Sequence, residues 1–123
     1  RDYIEGMWLM LQQPTPGDYI LSTGETRTVR SFVERAFQEV GRIIKWAGAG
    51  QNEKGLDTNS GEILIEVDPK YYRPNEVDIL QGDSSKARIQ LGWNPKITFD
   101  ELVREMVEYD INLIDIGTDI PKR

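Results

Sequence analysis

Apolar side chains recur along this chain with two different periods, and the change from one to the other marks out its elements. Ile4, Met7, Trp8 and Leu11 stand at i, i+3, i+4 and i+7, the spacing that gathers side chains onto one helix face, and Pro14 stops the run. The spacing predicts a helix over the first dozen residues, with its Met and Trp side chains packed in a core. Pro14-Thr15-Pro16-Gly17 is a turn, after which Asp18-Tyr19-Ile20-Leu21-Ser22-Thr23 reads as a short buried strand ending at Gly24. Val29, Phe32, Val33, Ala36, Phe37 and Val40 restore the helical period over residues 29–40, with Thr28 as the N-cap and Gly41 as the stop.

Ile43-Ile44-Lys45-Trp46 reads as a second strand and residues 62–67 as a third. Residues 47–60 between them read as a polar, glycine-containing loop, long enough to suspect a function. Asp83 or Ser84 caps a short helix over residues 85–91. Gly92 ends it, Trp93 is placed to fold back onto it, and Pro95 follows. Thr98-Phe99-Asp100-Glu101 is a capping box that opens the last helix. Phe99, Leu102, Met106, Ile111 and Leu113 supply that helix's apolar surface, with Val103 and Val107 alongside, and residues 117–123 are expected to form a loose tail. No fixed-period repeat and no low-complexity tract interrupts the chain. The expected class is mixed α and β, with a few short strands and about four helices in a single domain over residues 1–123.

Composition narrows the chemistry. At 123 residues one core without staples is feasible. Cysteine and histidine are both absent, which excludes disulfides, thiolate metal sites, a thiol nucleophile and an imidazole base; no metal site is expected. Twenty-one acidic against 15 basic residues give a net charge of −6, which disfavours nucleic acid and anionic membranes as partners. No apolar run approaches the roughly 20 residues of a bilayer span, and Arg1-Asp2-Tyr3 lacks the layout of a secretory signal, so a cytoplasmic location is expected. The helical pattern begins at the first residues with no cap before it, from which a piece of a longer protein is expected.

The sharpest candidate for chemistry is Arg73-Pro74-Asn75-Glu76-Val77-Asp78. Pro74 biases Arg73 away from the helical region and fixes a turn. The planar fork of an arginine there suits phosphate oxygens, while the Glu76 carboxylate three residues on can accept from the two hydroxyls of a ribose. The same spacing also suits an Arg73–Glu76 ion pair that merely holds the loop. Asp57-Thr58-Asn59-Ser60-Gly61 has the composition of a calcium loop, but Glu62 occupies the place where the sharp turn needs glycine, and a hairpin turn is the better reading. Thr23-Gly24-Glu25-Thr26 precedes a helix N-terminus that could attract an anion, against which Glu25 acts. Asn52-Glu53-Lys54-Gly55 sets a carboxylate and an ammonium in the long loop, where solvation is the simplest role. No glycine-rich dinucleotide fingerprint and no Tyr-x-x-x-Lys pair occurs.

Several blocks, in order and over nearly the whole chain, resemble the C-terminal half of GDP-mannose 4,6-dehydratases. They include Asp2-Tyr3-Ile4-Glu5-Gly6-Met7-Trp8-Leu9-Met10-Leu11, Tyr19-Ile20-Leu21-Ser22-Thr23-Gly24-Glu25-Thr26, Asn52-Glu53-Lys54-Gly55, Tyr71-Tyr72-Arg73-Pro74-Asn75-Glu76-Val77-Asp78 and Leu91-Gly92-Trp93-Asn94-Pro95. The resemblance implies the nucleotide-sugar-binding portion of an extended short-chain dehydrogenase, without its Rossmann core. The parent would be an NADP-dependent lyase that turns GDP-mannose into GDP-4-keto-6-deoxymannose, on the way to GDP-fucose. NADP would be held mainly by an N-terminal domain upstream of Arg1, where the family's catalytic residues also lie, so no catalytic residue and no cofactor is expected in this chain alone. Carried onto matching positions, the family's roles put Arg73 on the diphosphate and Glu76 on the ribose of GDP-mannose or GDP, in a parent that is a homo-oligomer. A non-catalytic nucleotide-sugar-binding or oligomerising module, or a portion of a related nucleotide-sugar epimerase or reductase, is the alternative.

Overall fold

A computed structural model describes residues 1–73 and 79–115. Four helices and one three-stranded antiparallel sheet make up these residues, in the order α1 (Asp2–Leu11), α2 (Val29–Glu39), β1 (Ile44–Ala47), β2 (Lys54–Asp57), β3 (Ile63–Glu66), α3 (Ser85–Leu91) and α4 (Phe99–Asp115). The mixed class expected from the sequence is the one observed. The chain divides into two compact units, the first built from Arg1–Arg27 and Val77–Phe99, the second from Thr28–Glu76 and Asp100–Arg123.

In the first unit a small core forms around Ala87, Leu91 and Trp93, against which Leu9, Met10, Tyr19 and Leu21 pack. The stop signals after α3 create it. Gly92 adopts a left-handed conformation at φ +66°, open to glycine without steric cost, and this turns Trp93 back so that its amide donates to the Ala87 carbonyl at 3.4 Å. The indole is buried, donates from Nε1 to the Asp2 carbonyl at 2.7 Å, and stacks on Tyr3 with ring centroids 6.2 Å apart. Asp2 completes the latch: its Oδ2 accepts from the amides of Lys96 and Ile97 at 2.8 and 2.9 Å, while the Lys96 ammonium pairs with Glu5 at 3.0 Å.

The Asp2 carboxyl is held below its ordinary value, chiefly by the Ile97 amide hydrogen bond, with burial opposing it and the Lys96 amide and nearby positive charges adding to it. A carboxylate whose folded-state pKa is depressed contributes stability that is present above its unfolded value, about 3.9, and is lost as pH falls through the folded value. Acid unfolding is therefore expected to lose part of its steepness below about pH 4 in Asp2→Asn. Urea midpoints measured between pH 3 and 6 check this; equal pH slopes in both proteins would remove the latch from the account.

Two expectations need correction here. Residues 18–23 are extended but form no strand, because among the described residues no backbone ladder reaches them. Side-chain bonds hold the segment instead: Ser22 Oγ donates to the Gly82 carbonyl at 2.7 Å, Lys86 Nζ to that of Asp18 at 2.9 Å, and Arg88 to that of Thr23 at 3.2 Å. The helical stripe of α1 also faces the other way. Gly6 is the buried residue of that helix and Leu9 and Met10 meet the core, whereas Ile4, Met7, Trp8 and Leu11 are exposed.

In the second unit Thr28 caps α2 as expected, its Oγ1 accepting from the Ser31 amide at 3.0 Å, and Gly41 at φ +73° ends the helix. Val29, placed on the packed face by its spacing, is exposed. The sheet runs in the order β1-β2-β3, with Ile44 opposite Asp57, Trp46 opposite Gly55 and Lys54 opposite Glu66. Strand β2 lies where a polar loop was expected. Lys-Gly-Leu-Asp carries little strand propensity of its own, and its pairing on both sides decides the matter.

Trp46 Nε1 ties β1 to α2 through Glu34 at 2.6 Å, with the Arg30 guanidinium 5.3 Å from the indole centroid. The last helix begins directly after Thr98, where the capping-box sequence places it. It buries Val103 completely and is tied to α2 by Arg35–Asp100 at 3.2 Å and Arg104–Glu39 at 3.8 Å. The tail at residues 117–123 lies outside the described residues. Among the described residues no helix is long and apolar enough to cross a membrane.

Candidate functional site

The turn that follows β3 is the candidate site. Asp68 organises it: its Oδ1 accepts from the Lys70 amide at 2.9 Å and its carbonyl from the Tyr71 amide at 3.0 Å, which closes a tight turn around Pro69. Antiparallel pairing fixes β3 immediately upstream, so the turn is anchored at that end. The residues that follow, Tyr71, Tyr72 and Arg73, are all exposed. Together with Val67, Asp68 and Lys70 they line an open cavity of about 560 Å³. The Lys70 ammonium stands 5.2 Å from the Tyr71 ring centroid, a cation–π contact.

The wall thus combines two cations with two aromatic rings in a chain whose net charge is −6. An ammonium and a guanidinium can neutralise an anionic group, and exposed rings offer faces on which a planar ligand can stack. Of the two residues singled out by sequence, Arg73 is on this wall. Glu76 lies outside the described residues. Sequence reasoning did not give Lys70, Tyr71 or Tyr72 a role of their own. The available signal was their contiguity with Arg73 after a Pro-containing turn.

The other candidates resolve into structural roles. Asp57 is buried, accepts from the Asn59 amide at 2.9 Å and pairs with Arg42 at 3.4 Å, so residues 57–61 are the β2–β3 hairpin turn that was expected. Among the described residues no cluster of three carboxylates that could hold a metal occurs. Glu25 pairs with Arg27 at 2.7 Å. In the Asn52-Glu53-Lys54-Gly55 block, Glu53 pairs with Arg30, and Lys54 pairs across the sheet with Glu66 at 2.7 Å. Arg88 borders a second concavity, but its fork is occupied by Ser84, Asn94 and Thr23. Asp83 is held below its ordinary value by hydrogen bonds from the Ser85 side chain and amide, which tie it to the first residue of α3, whose N-cap position is Ser84.

A mixed α and β chain with a cationic, aromatic-walled cavity beyond a β-hairpin is the class that fold and site define. The family model described as GDP-mannose 4,6 dehydratase matches residues 1–106. The chain belongs to that family. It is 53% identical over 114 residues to the GDP-mannose 4,6 dehydratase of Cricetulus griseus, covering 93% of this chain and 31% of the relative. Against the Homo sapiens protein of that name it is 51% identical over 114 residues, with the same shares. Against the Vibrio cholerae protein it is 39% identical, covering 92% of this chain and 33% of the relative. The chain therefore spans about a third of the length of these relatives.

Proposed function

We propose that this chain is the nucleotide-sugar-binding part of a GDP-mannose 4,6-dehydratase and that it grips the GDP moiety. Arg73 takes the diphosphate, its planar fork meeting two phosphate oxygens at once, and Glu76 accepts from the ribose hydroxyls. The observation that carries the reading is the position of Arg73 on a cavity wall shared with Lys70, Tyr71 and Tyr72, in a chain that belongs to this family. Gripping the nucleotide holds the hexose at a fixed distance from the turn, which is a positioning role; no residue of this chain is assigned to catalysis. On this reading residues 1–123 act as one substrate-binding domain of a longer, cytoplasmic, homo-oligomeric lyase.

That lyase would work with NADP. The residues present do not fit a dinucleotide: the sheet is antiparallel, its strands are joined by short connections without a crossover helix, and no glycine-rich fingerprint opens a helix. On this reading NADP and the redox chemistry it supplies belong to another part of a longer polypeptide.

Calorimetric titration with GDP and with guanosine tests the grip. Losing a charge-assisted contact of about 1.5–3 kcal/mol, Arg73→Ala is expected to bind GDP at least about tenfold more weakly. Guanosine, which has no diphosphate, is expected to bind both proteins alike. Equal GDP affinity in the variant and the original chain would overturn the assignment of Arg73.

A further inference from the structure

Cations are outnumbered in this acidic chain, and most of those among the described residues are committed to carboxylates. Arg27 pairs with Glu25, Arg30 with Glu53, Arg42 with Asp57, Lys54 with Glu66 and Lys96 with Glu5. Lys70 is different. Among the described residues its ammonium meets neither a carboxylate nor a carbonyl oxygen, and it stands instead 5.2 Å from the Tyr71 ring centroid. A ring face attracts the charge without accepting all three of its N–H groups, so the ammonium stays open to an oxygen ligand. Its backbone is held meanwhile: the Lys70 amide donates to Asp68 Oδ1 at 2.9 Å, which fixes where the side chain leaves the turn and engages the one carboxylate among the described lining residues. The turn thus sets Lys70 and Arg73 on the wall of one cavity of about 560 Å³.

We propose that Lys70 is the second cation of the nucleotide grip and gives the site its preference for two linked phosphates over one. This role rests on Arg73 and Glu76 holding the diphosphate and the ribose, and it extends that grip. Lys70, Arg73 and Glu76 follow one another at intervals of three residues, in the order in which a nucleoside diphosphate presents its outer phosphate, its inner phosphate and its ribose. An arginine fork engages two oxygens of one phosphate, which leaves the charge on the other without a partner. A lysine supplies what is missing: a point charge with three donors on a flexible stem, able to follow the outer phosphate. Lys45 gives the contrast within the same unit. Its ammonium too has no charged or hydrogen-bonded partner among the described residues, but it stands on β1 and does not line the cavity.

Calorimetric titration of the 123-residue chain with GDP and with GMP tests it. Lys70→Gln is expected to weaken GDP binding about fivefold and GMP binding by less than about twofold, as for a charge-assisted contact at an exposed site. Lys70→Arg, which keeps the charge, is expected to stay within about twofold of the original chain for both ligands, and Lys45→Gln to change neither. Equal weakening of GDP and GMP by Lys70→Gln, or the same loss of GDP affinity in Lys45→Gln, would overturn the proposal, because either would reduce Lys70 to one more positive charge on the chain. So would unchanged GDP affinity in Lys70→Gln; if Arg73→Ala still weakened GDP, the nucleotide reading would stand without Lys70. Failure of the original chain to bind GDP at millimolar concentration would overturn both.

Discussion

Trp93→Ala is expected to lose about 3–5 kcal/mol of stability, the range for truncating a large buried aromatic. Trp93 is 1% exposed and sits at the centre of the first unit's core, with Ala87 and Leu91 beneath it. Its removal also strips the Tyr3 ring of its stacking partner and leaves the Asp2 carbonyl without its indole donor. A whole domain is commonly stable by only about 5–15 kcal/mol, so this one change takes a large share. Trp93→Phe keeps much of the apolar volume and gives up the hydrogen bond, for which about 1–2 kcal/mol is expected. Urea denaturation followed by far-ultraviolet circular dichroism separates the two; a loss under 1 kcal/mol for the alanine variant would mean that the core is held elsewhere.

Gly48→Ala is expected to follow in size, at more than about 2 kcal/mol, for a reason of backbone rather than core. Gly48 has φ +82°, a conformation that costs a residue with a side chain roughly 1–2 kcal/mol. An added Cβ would also press on the Asn52 carbonyl oxygen and stand 3.0 Å from its carbon, and no rotamer relieves a clash with backbone. The residues pushed aside form the 3-10 turn at Gly50–Asn52 that leads into β2. Gly50 makes the comparison: it too has positive φ, at +58°, but a Cβ there meets open space. Gly50→Ala is therefore expected to cost only the conformational part, about 1 kcal/mol. If the two alanine variants melt together, the steric account of Gly48 is wrong.

Much of this architecture is written in local signals. Thr28, Gly41, Asp83, Gly92 and the Thr98 to Glu101 box each act within a few residues of themselves, and the helix limits they announce are those observed to within a residue. Lys54 to Asp57 escaped because β2 owes its existence to partners on both sides. The stripe of Ile4, Met7, Trp8 and Leu11 was read as core because periodicity reports that a face is apolar and not which neighbour covers it. Residues 18–23 failed as a strand for the related reason that a ladder needs a second strand. At the candidate site the arginine was legible from its chemistry and its proline, while the cavity wall of Lys70, Tyr71 and Tyr72 depends on how the Asp68 turn arranges the chain.

The Asp2 latch has a consequence in time. Its carboxylate meets amides 94 and 95 residues further along, so the first unit cannot close until Ile97 has been made. At about 5–20 residues per second that interval is roughly 5–20 s for a chain growing on a ribosome. The β2–β3 hairpin, whose partners lie within a dozen residues of each other, needs no such wait. The nascent chain is thus expected to carry a finished hairpin while α1, made before it, still waits for the segment around Ile97 that completes the first unit.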